Sequence, residues 1–306
     1  MPITATEKIW YNGELVDWED ATIHVLTHSL HYGMGVFEGI RAYETSEGPA
    51  IFRLTDHMVR MHQSAQILGM ELPYSVDELV EAAKLVVRVN GLPACYVRPI
   101  AFYGYGEMGL NTLPCSTDVA IACWPWGLYL GEDSLERGVR MKISSWVRHS
   151  HNSMPPAGKT TGNYVNSSLA KVEALKAGYD EAVILNPQGF VSECTGENIF
   201  CARHGKLITP PLSAGALEGV TQSTVMAIAD DLGFEVQIDN LARSDLYIAE
   251  EMFVCGTAAE VSSIRSVDDR EVQTCPGPMT QAIGEEYQRV VTGQVDRYKD
   301  WVEHVG

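Results

Sequence analysis

The chain has 306 residues, 45% hydrophobic and 20% charged, the balance of an ordinary soluble globular protein with a real core in one large or two medium domains. A formal net charge of −18 excludes nucleic acid and anionic membrane as natural partners, but not small anions, which respond to the local field of a pocket. No apolar run approaches the ~20 residues of a membrane span, MPITATEKIW lacks the basic-then-apolar plan of a secretion signal, and seven scattered cysteines without a CxxC point to a reducing cytoplasm with no disulfide or zinc framework.

Residues 7–18, EKIWYNGELVDW, read as two short strands around an Asn12-Gly13 hairpin turn. Residues 27–43, THSLHYGMGVFEGIRAY, lack helical periodicity. Glycines at 33, 35 and 39 predict extended, tightly turned backbone lying close to something, with Tyr32, Phe37 and Arg41 among them. Phe37 reads equally well as a core-strand residue. His24, His28 and His31 have no helical spacing to support a metal reading, and no metal is expected.

Residues 55–69 predict an amphipathic helix started by a Thr55/Asp56 cap, with Met58, Met61, Ala65 and Leu68 as its apolar stripe. Arg60 lies beside that stripe, and alone it reads as a surface arginine. A second helix opens with a capping box, Ser75 to Glu78, and ends at Asn90-Gly91. The strand CYVRPIAFYGYG then places Tyr96 and Arg98 on one face. An arginine there needs a partner, either an internal ion pair or the carboxylate of a substrate. DVAIACWPW closes the first half, and the glycine-bounded run 127–138, with Tyr129 on it, is the candidate connector.

After the strand VRMKISSWV comes PPAGKTTGNY, residues 155–164, with Lys159 set among glycines, prolines and small polar residues. A helix is predicted directly after it, with Asn163 as N-cap and Val165, Leu169, Val172 and Leu175 as apolar positions. A P-loop needs a glycine where the chain has Ser153. The other seven lysines fall in helical patterns, a strand, a turn or near the ends, so a chemical lysine would be Lys159. Held out of water it would favour the neutral amine that attacks a carbonyl; otherwise it is a loop lysine.

In the second half a strand, DEAVILN, turns at Pro187–Gly189 and returns through FVSECTGENIFCAR. Glu193 and Glu197 in that return are either exposed at a turn or held for a reason, such as a protonated ring nitrogen. Leu217-Glu218-Gly219-Val220-Thr221 feeds a helix that stops at Gly233. Its free N–H groups and dipole make it either an ordinary helix start or a site for one phosphate. The strand 251–257 ends in a tight Gly256-Thr257-Ala258-Ala259 turn, and a last helix, 278–292, precedes a charged tail. A lysine for a carbonyl, a phosphate-type helix start, a glutamate for a ring nitrogen and a tyrosine near the lysine are together the parts of a pyridoxal phosphate site.

At these residues the chain resembles the fold-type IV pyridoxal phosphate aminotransferases, and closely the branched-chain amino acid branch. The likeness runs from IWYNGELVDWEDA through HYGMGVFEGIRAY, HMVRMHQSA, YVRP, PWGLYLG, GNY, SECTGENIF and GTAAEVSSIRSVD. It implies an α/β (α+β) fold: a small N-terminal α/β domain (1–126), the connector 127–138 and a larger C-terminal cofactor-binding domain (139–306) with a barrel-like sheet, the cofactor lying between the domains. Lys159 would be the Schiff-base lysine and the proton carrier. Glu193 would pair with the pyridine nitrogen, and Tyr164 with the ring oxygen. Arg60, Val220, Thr221 and Thr257 would hold the phosphate, with Leu217 packed on the ring.

For substrate, the resemblance assigns the α-carboxylate to Tyr96 and the N–H groups of Thr257 and Ala258. The γ-carboxylate of glutamate goes to Arg98, Tyr129 and Tyr32, the last from a neighbouring subunit, and Phe37 and Gly39 line an aliphatic pocket with Arg41 nearby. Leucine and glutamate use one position, so the pocket must be apolar with a charge at its rim. The implied reaction is ping-pong transamination of L-leucine, L-isoleucine or L-valine with 2-oxoglutarate, giving a 2-oxo acid and L-glutamate, in a cytoplasmic homodimer or higher homo-oligomer. YVR at 96–98 favours L-amino acids over the D-amino acid enzymes of the family. Cys194, Thr195, Thr160, Thr161 and Met34 depart from the usual pattern beside the cofactor or pocket. They keep open another fold-type IV activity: a D-amino acid or (R)-amine transaminase, or an aminodeoxychorismate lyase.

Overall fold

The Asn12-Gly13 turn joins β1 (Lys8–Tyr11) to β2 (Glu14–Asp17), with Tyr11 opposite Glu14 and both turn residues at positive φ, 47° and 96°. This computed structural model describes residues 3–127 and 137–306, so Tyr129 and most of the 127–138 run lie outside the described residues. Two units are present. One takes Met1–Gly127, Gly158–Gly162 and Val290–Gly306, the other Leu128–Ala157 and Asn163–Arg289, each within the described residues. The lysine segment and the C-terminal residues thus belong with the first unit.

The first unit is built on an eight-stranded sheet that continues with β3 (Gly35–Phe37), β4 (Ile40–Thr45), β5 (Gly48–Phe52), β6 (Cys95–Tyr103) and β7 (Thr117–Trp124). The chain's final strand, Val302–His304, pairs with β5, so the order is final strand, β5, β4, β6, β7, β1, β2, with β3 also on β6. Helices Leu54–Ile67 and Val76–Val89 supply Leu54, Met58, Met61, Leu79 and Val86 to a core shared with Ile40, Val97 and Ile121. The Ser75–Glu78 capping box forms as predicted.

Two local expectations change here. Residues 28–32 form a short helix, His28–Tyr32, ended by Gly33 in the left-handed conformation (φ 66°). Five residues make less than two turns, too few to display the periodicity that marks a helix. The Leu54–Ile67 helix has Arg53 rather than Thr55 or Asp56 at its N-cap position, with no side-chain cap from it. Its start is capped from 248 residues away, by Glu303, which accepts from the Thr55 N–H at 2.7 Å and its hydroxyl at 3.1 Å.

The second unit holds a nine-stranded sheet: β8 (Val139–Val147), β9 (Glu181–Leu185), β10 (Val191–Cys194), β11 (Asn198–Arg203), β12 (Lys206–Thr209), β13 (Val236–Ile238), β14 (Glu251–Gly256), β15 (Glu260–Val267) and β16 (Arg270–Glu271). Its order is β10, β9, β8, β15, β14, β11, β12, β13, with β16 on β15. The five strand spacings from β10 to β11 would span about 24 Å if flat. Yet a short turn joins them, Cys194 to Asn198, which reaches at most about 14 Å, and the Cys194 N–H donates to Glu197 O within it at 2.8 Å. The sheet therefore curls on itself, the half-barrel of the expected fold class, around a core of Met141, Val183, Ile199, Met252, Val254 and Ile264.

The helix Tyr164–Lys176 begins at Asn163 as predicted, but Asn163 makes no side-chain cap bond to it. Its predicted apolar stripe also faces the other way. Ser167, Ala170 and Ala174 are the buried positions, while Val165, Leu169, Val172 and Leu175 are 40–64% exposed. Small residues let the helix lie close on the sheet, where Ala170 and Ala174 pack with Ala182 and Ile184.

Candidate active site

In the first unit the lysine segment is held against β3 by an isolated antiparallel bridge, Thr160 opposite Val36. The Phe37 N–H donates to Lys159 O at 3.1 Å, the Thr161 N–H to Gly35 O at 2.8 Å, and the Lys159 N–H to Ser64 Oγ at 3.0 Å. A Cβ on Gly33 would come within 3.1 Å of the Gly162 backbone, which is why this approach needs glycine. So placed, the half-buried Lys159 sets its amine 5.1 Å from the centre of the Phe37 ring.

The same ring meets a second cation. Arg98 lies 4.9 Å from the Phe37 centroid, 5.3 Å from Tyr96 and 6.0 Å from Trp124. Its Nη2 donates to the Tyr96 hydroxyl at 3.3 Å, while its buried Nε has no hydrogen-bond partner among the described residues. The internal ion pair open to an arginine in this strand is absent among those residues; aromatic faces and one hydroxyl surround it instead. Tyr96 is packed by Trp124 and Trp126, at centroid distances of 5.3 and 4.2 Å. A side chain at Gly39 would overlap the Tyr96 hydroxyl, which fixes why that position is glycine. Arg41 donates to the carbonyls of Trp126 and Gly127 at 3.2 and 3.3 Å. Tyr32, 39% exposed, meets the buried His28 in a tilted ring contact at 4.6 Å, and His28 and His31 bond to the Gly109 and Val25 carbonyls.

Arg60 does not read as a surface arginine in the structure. It grips Glu38, which is fully buried, through Nε at 2.8 Å and Nη2 at 2.7 Å, and His57 Nδ1 lies 2.7 Å from the same carboxylate. Burial alone would push the Glu38 carboxyl up. The charges and hydrogen bonds of Arg60 and His57 outweigh it and hold Glu38 well below the usual carboxylate range. Burial pushes the His57 imidazole down; Glu38 opposes this, while Arg60 and Lys159 add to it, and the net is down.

In the second unit Glu193 is 7% exposed on β10, so it is not an exposed turn residue. Its Oε1 pairs with Arg148 Nη2 at 2.6 Å and its Oε2 accepts from the Leu217 N–H at 2.8 Å. Arg148 also donates to Gly215 O at 3.1 Å, so one carboxylate fixes both its counter-ion and the loop that leads to the Val220–Asp231 helix. Asn198 holds that loop by donating to Leu217 O at 3.0 Å, and its side chain fills the space a Cβ on Gly219 would need. The helix start has no side-chain cap from Gly219 and no acid in its first turn, and Thr221 is buried there. Thr257 and Ala258 lie in the predicted tight turn after β14, half-buried, and Tyr164 is the first residue of its helix. The departures from the family pattern have local duties: Thr195 donates to Glu181 at 2.7 Å, Thr161 to Gly33 O at 2.8 Å, and Cys194 is a fully buried packing residue.

Sequence reading passed over Glu38, His57 and Arg148. Each is a lone polar residue whose partner is distant in the chain, and only the spacing of His57 and Arg60, one helical turn apart, carried a local signal.

Residues 35–267 match the model of the family amino-transferase class IV. The chain is similar to the branched-chain-amino-acid aminotransferase of Pseudomonas aeruginosa, 46% identical over 96% of this chain and 95% of the relative. It is similar to the crystal structure of the Escherichia coli branched-chain amino acid aminotransferase, 44% identical, with a TM-score of 0.96 over 98% of this chain and 100% of that one. It is also similar to the crystal structure of the branched-chain amino acid aminotransferase from Thermobaculum terrenum in its PLP-bound holo-form, 37% identical, with a TM-score of 0.93 over 99% of both chains.

Glu197, four residues beyond Glu193, is 4% exposed. Burial pushes its carboxyl from an ordinary 4.5 up to about 8, and the neighbouring Glu181 adds to the push. The folded state thus keeps a proton that the unfolded state loses, so stability falls as pH rises from about 4.5 through about 8. In Glu197→Gln the urea midpoint is expected to drop less between pH 5 and pH 8 than in the wild type. Equal drops in the two proteins would contradict the burial argument.

Proposed function

This chain belongs to the amino-transferase class IV family, and we propose that it transfers the amino group between branched-chain L-amino acids and 2-oxoglutarate with pyridoxal 5'-phosphate as its cofactor. The observation that carries the choice of substrate is the Phe37 ring, with the Lys159 amine 5.1 Å and the Arg98 guanidinium 4.9 Å from its centre. A substrate lying along that ring has an amine at one end, an aromatic surface for an aliphatic side chain, and a cation for the far carboxylate of glutamate.

The residues fit the cofactor. The Val220–Asp231 helix begins at a glycine with no acid in its first turn, suited to a phosphate, and Glu193 is a buried carboxylate placed by Arg148 and the Leu217 N–H, suited to a protonated ring nitrogen. When bound, pyridoxal phosphate supplies a carbonyl for the amino group and a ring that withdraws electrons from the substrate α-carbon. Lys159 would hold the cofactor and carry the proton to and from that α-carbon. Glu193 would hold the proton on the ring nitrogen, Tyr164 would donate to the ring oxygen, and Leu217 would pack on the ring. Arg60, Val220, Thr221 and Thr257 would bind the phosphate. Tyr96, Thr257 and Ala258 would bind the α-carboxylate, and Arg98, with Tyr129 and a neighbouring subunit's Tyr32, the γ-carboxylate. Phe37 and Gly39 would line the side-chain pocket, and the absence of a side chain at Gly39 leaves room for the Tyr96 hydroxyl.

The free state of all seven cysteines supports a reducing, cytoplasmic setting, and no helix among the described residues is long and apolar enough to cross a membrane. Self-association is supported in each unit by exposed apolar side chains: Leu30, Tyr105, Leu110 and Leu113 at 61–92% in one, and the Val165, Leu169, Val172 and Leu175 stripe in the other.

Arg98→Ala is expected to lower kcat/KM for glutamate and 2-oxoglutarate about two orders of magnitude more than for leucine, the scale of losing one partner of a desolvated charge pair. Equal losses for both substrate types would remove the rim-charge account. Sedimentation velocity is expected to report at least twice the 33.7 kDa chain mass; a monomer at micromolar concentration would contradict self-association.

A further inference from the structure

Along the extended chain Phe37 meets Lys159 and Arg98, and the next residue, Glu38, meets His57 and Arg60. Glu38 has no exposed surface, and His57 is 2% exposed. His57, Arg60 and Ser64 follow one another at helical spacing on Leu54–Ile67, and Ser64 Oγ accepts the Lys159 backbone N–H at 3.0 Å. One helix therefore carries both the arginine and a grip on the lysine segment. A buried ion pair is a weak source of stability, because desolvating two charges offsets most of their attraction. What the pair does supply is direction. Two parallel N–H···O bonds, at 2.8 and 2.7 Å, fix the plane of a guanidinium that would otherwise swing on a long, flexible stem.

We propose that Glu38, backed by His57, is a positioning residue for the cofactor: it holds the Arg60 guanidinium in the orientation that binds the phosphate group. The inference rests on the assignment of Arg60 to the phosphate given above. His57 Nδ1, 2.7 Å from the same carboxylate and itself 2% exposed, holds Glu38 from a second direction. Removing the Glu38 charge while keeping its shape leaves Arg60 present but unaligned.

The test uses the full-length protein stripped of cofactor and measures dissociation constants by absorbance for two probes, pyridoxal phosphate and pyridoxal, which lacks the phosphate. Glu38→Gln is expected to weaken pyridoxal phosphate binding about 10- to 100-fold, the usual loss when an outer-shell partner is removed, and to leave pyridoxal binding unchanged. Glu38→Asp, which keeps the charge on a shorter stem, should fall between Glu38→Gln and the wild type, and it serves as the test if the glutamine variant does not fold. In an Arg60→Lys background, Glu38→Gln should cost no further affinity, because the group it acts through is gone. Unchanged pyridoxal phosphate binding in Glu38→Gln, or equal losses for both probes, would overturn the positioning role alone. A wild-type protein that takes up neither probe would overturn the cofactor reading on which the proposal rests.

Discussion

Everything chemical in the first unit depends on how closely the lysine segment approaches β3. A side chain at Gly33 would meet the Gly162 backbone at 3.1 Å, and that lack of side chain lets the segment pair with residues 35–37 through backbone hydrogen bonds at 2.8 and 3.1 Å. Backbone pairing of this kind leaves little freedom: a one-residue slip would turn Lys159 to the opposite face, away from Phe37. The same register places Phe37 toward Lys159 and Arg98 and Glu38 toward the helix that holds the segment from behind. The position of the amine and the support of its segment both follow from that one backbone contact.

Buried charge is handled in two distinct ways. Glu38 with Arg60, Glu193 with Arg148, and Glu181 with Lys171 are each paired at 2.6–2.8 Å, as burial of a carboxylate demands. Arg98 departs from the pattern, because its surroundings among the described residues are ring faces and a hydroxyl. An aromatic setting lowers the cost of the cation without neutralising it, which is what the proposed role of Arg98 toward a substrate carboxylate requires. A permanent ion partner would leave the proposed pocket apolar in effect and unsuited to an anionic substrate.

Much of this was legible in the residues, because it rests on local rules. The Asn12-Gly13 hairpin, the Ser75–Glu78 box, the helix start at Val220 and the turn at Thr257–Ala258 each arise from neighbours in sequence. What was not legible depends on tertiary partners. The cap of the Leu54–Ile67 helix comes from Glu303 in what reads as a charged tail. The Tyr164–Lys176 helix buries alanine and serine and leaves its branched residues outside, an inversion that only close packing on the sheet explains. Arg148 and Glu38 have nothing beside them in the chain that announces a carboxylate or guanidinium partner far away in sequence.

The most direct test of the central claim is an absorption spectrum of the purified protein with pyridoxal phosphate, before and after L-leucine. The account predicts a near-visible band that shifts to shorter wavelength when L-leucine is added and returns with 2-oxoglutarate, and no such band in Lys159→Ala. A band that ignores L-leucine but answers to D-alanine or an (R)-amine would contradict the substrate assignment. A wild-type protein with no band at all would contradict the role of Lys159 itself.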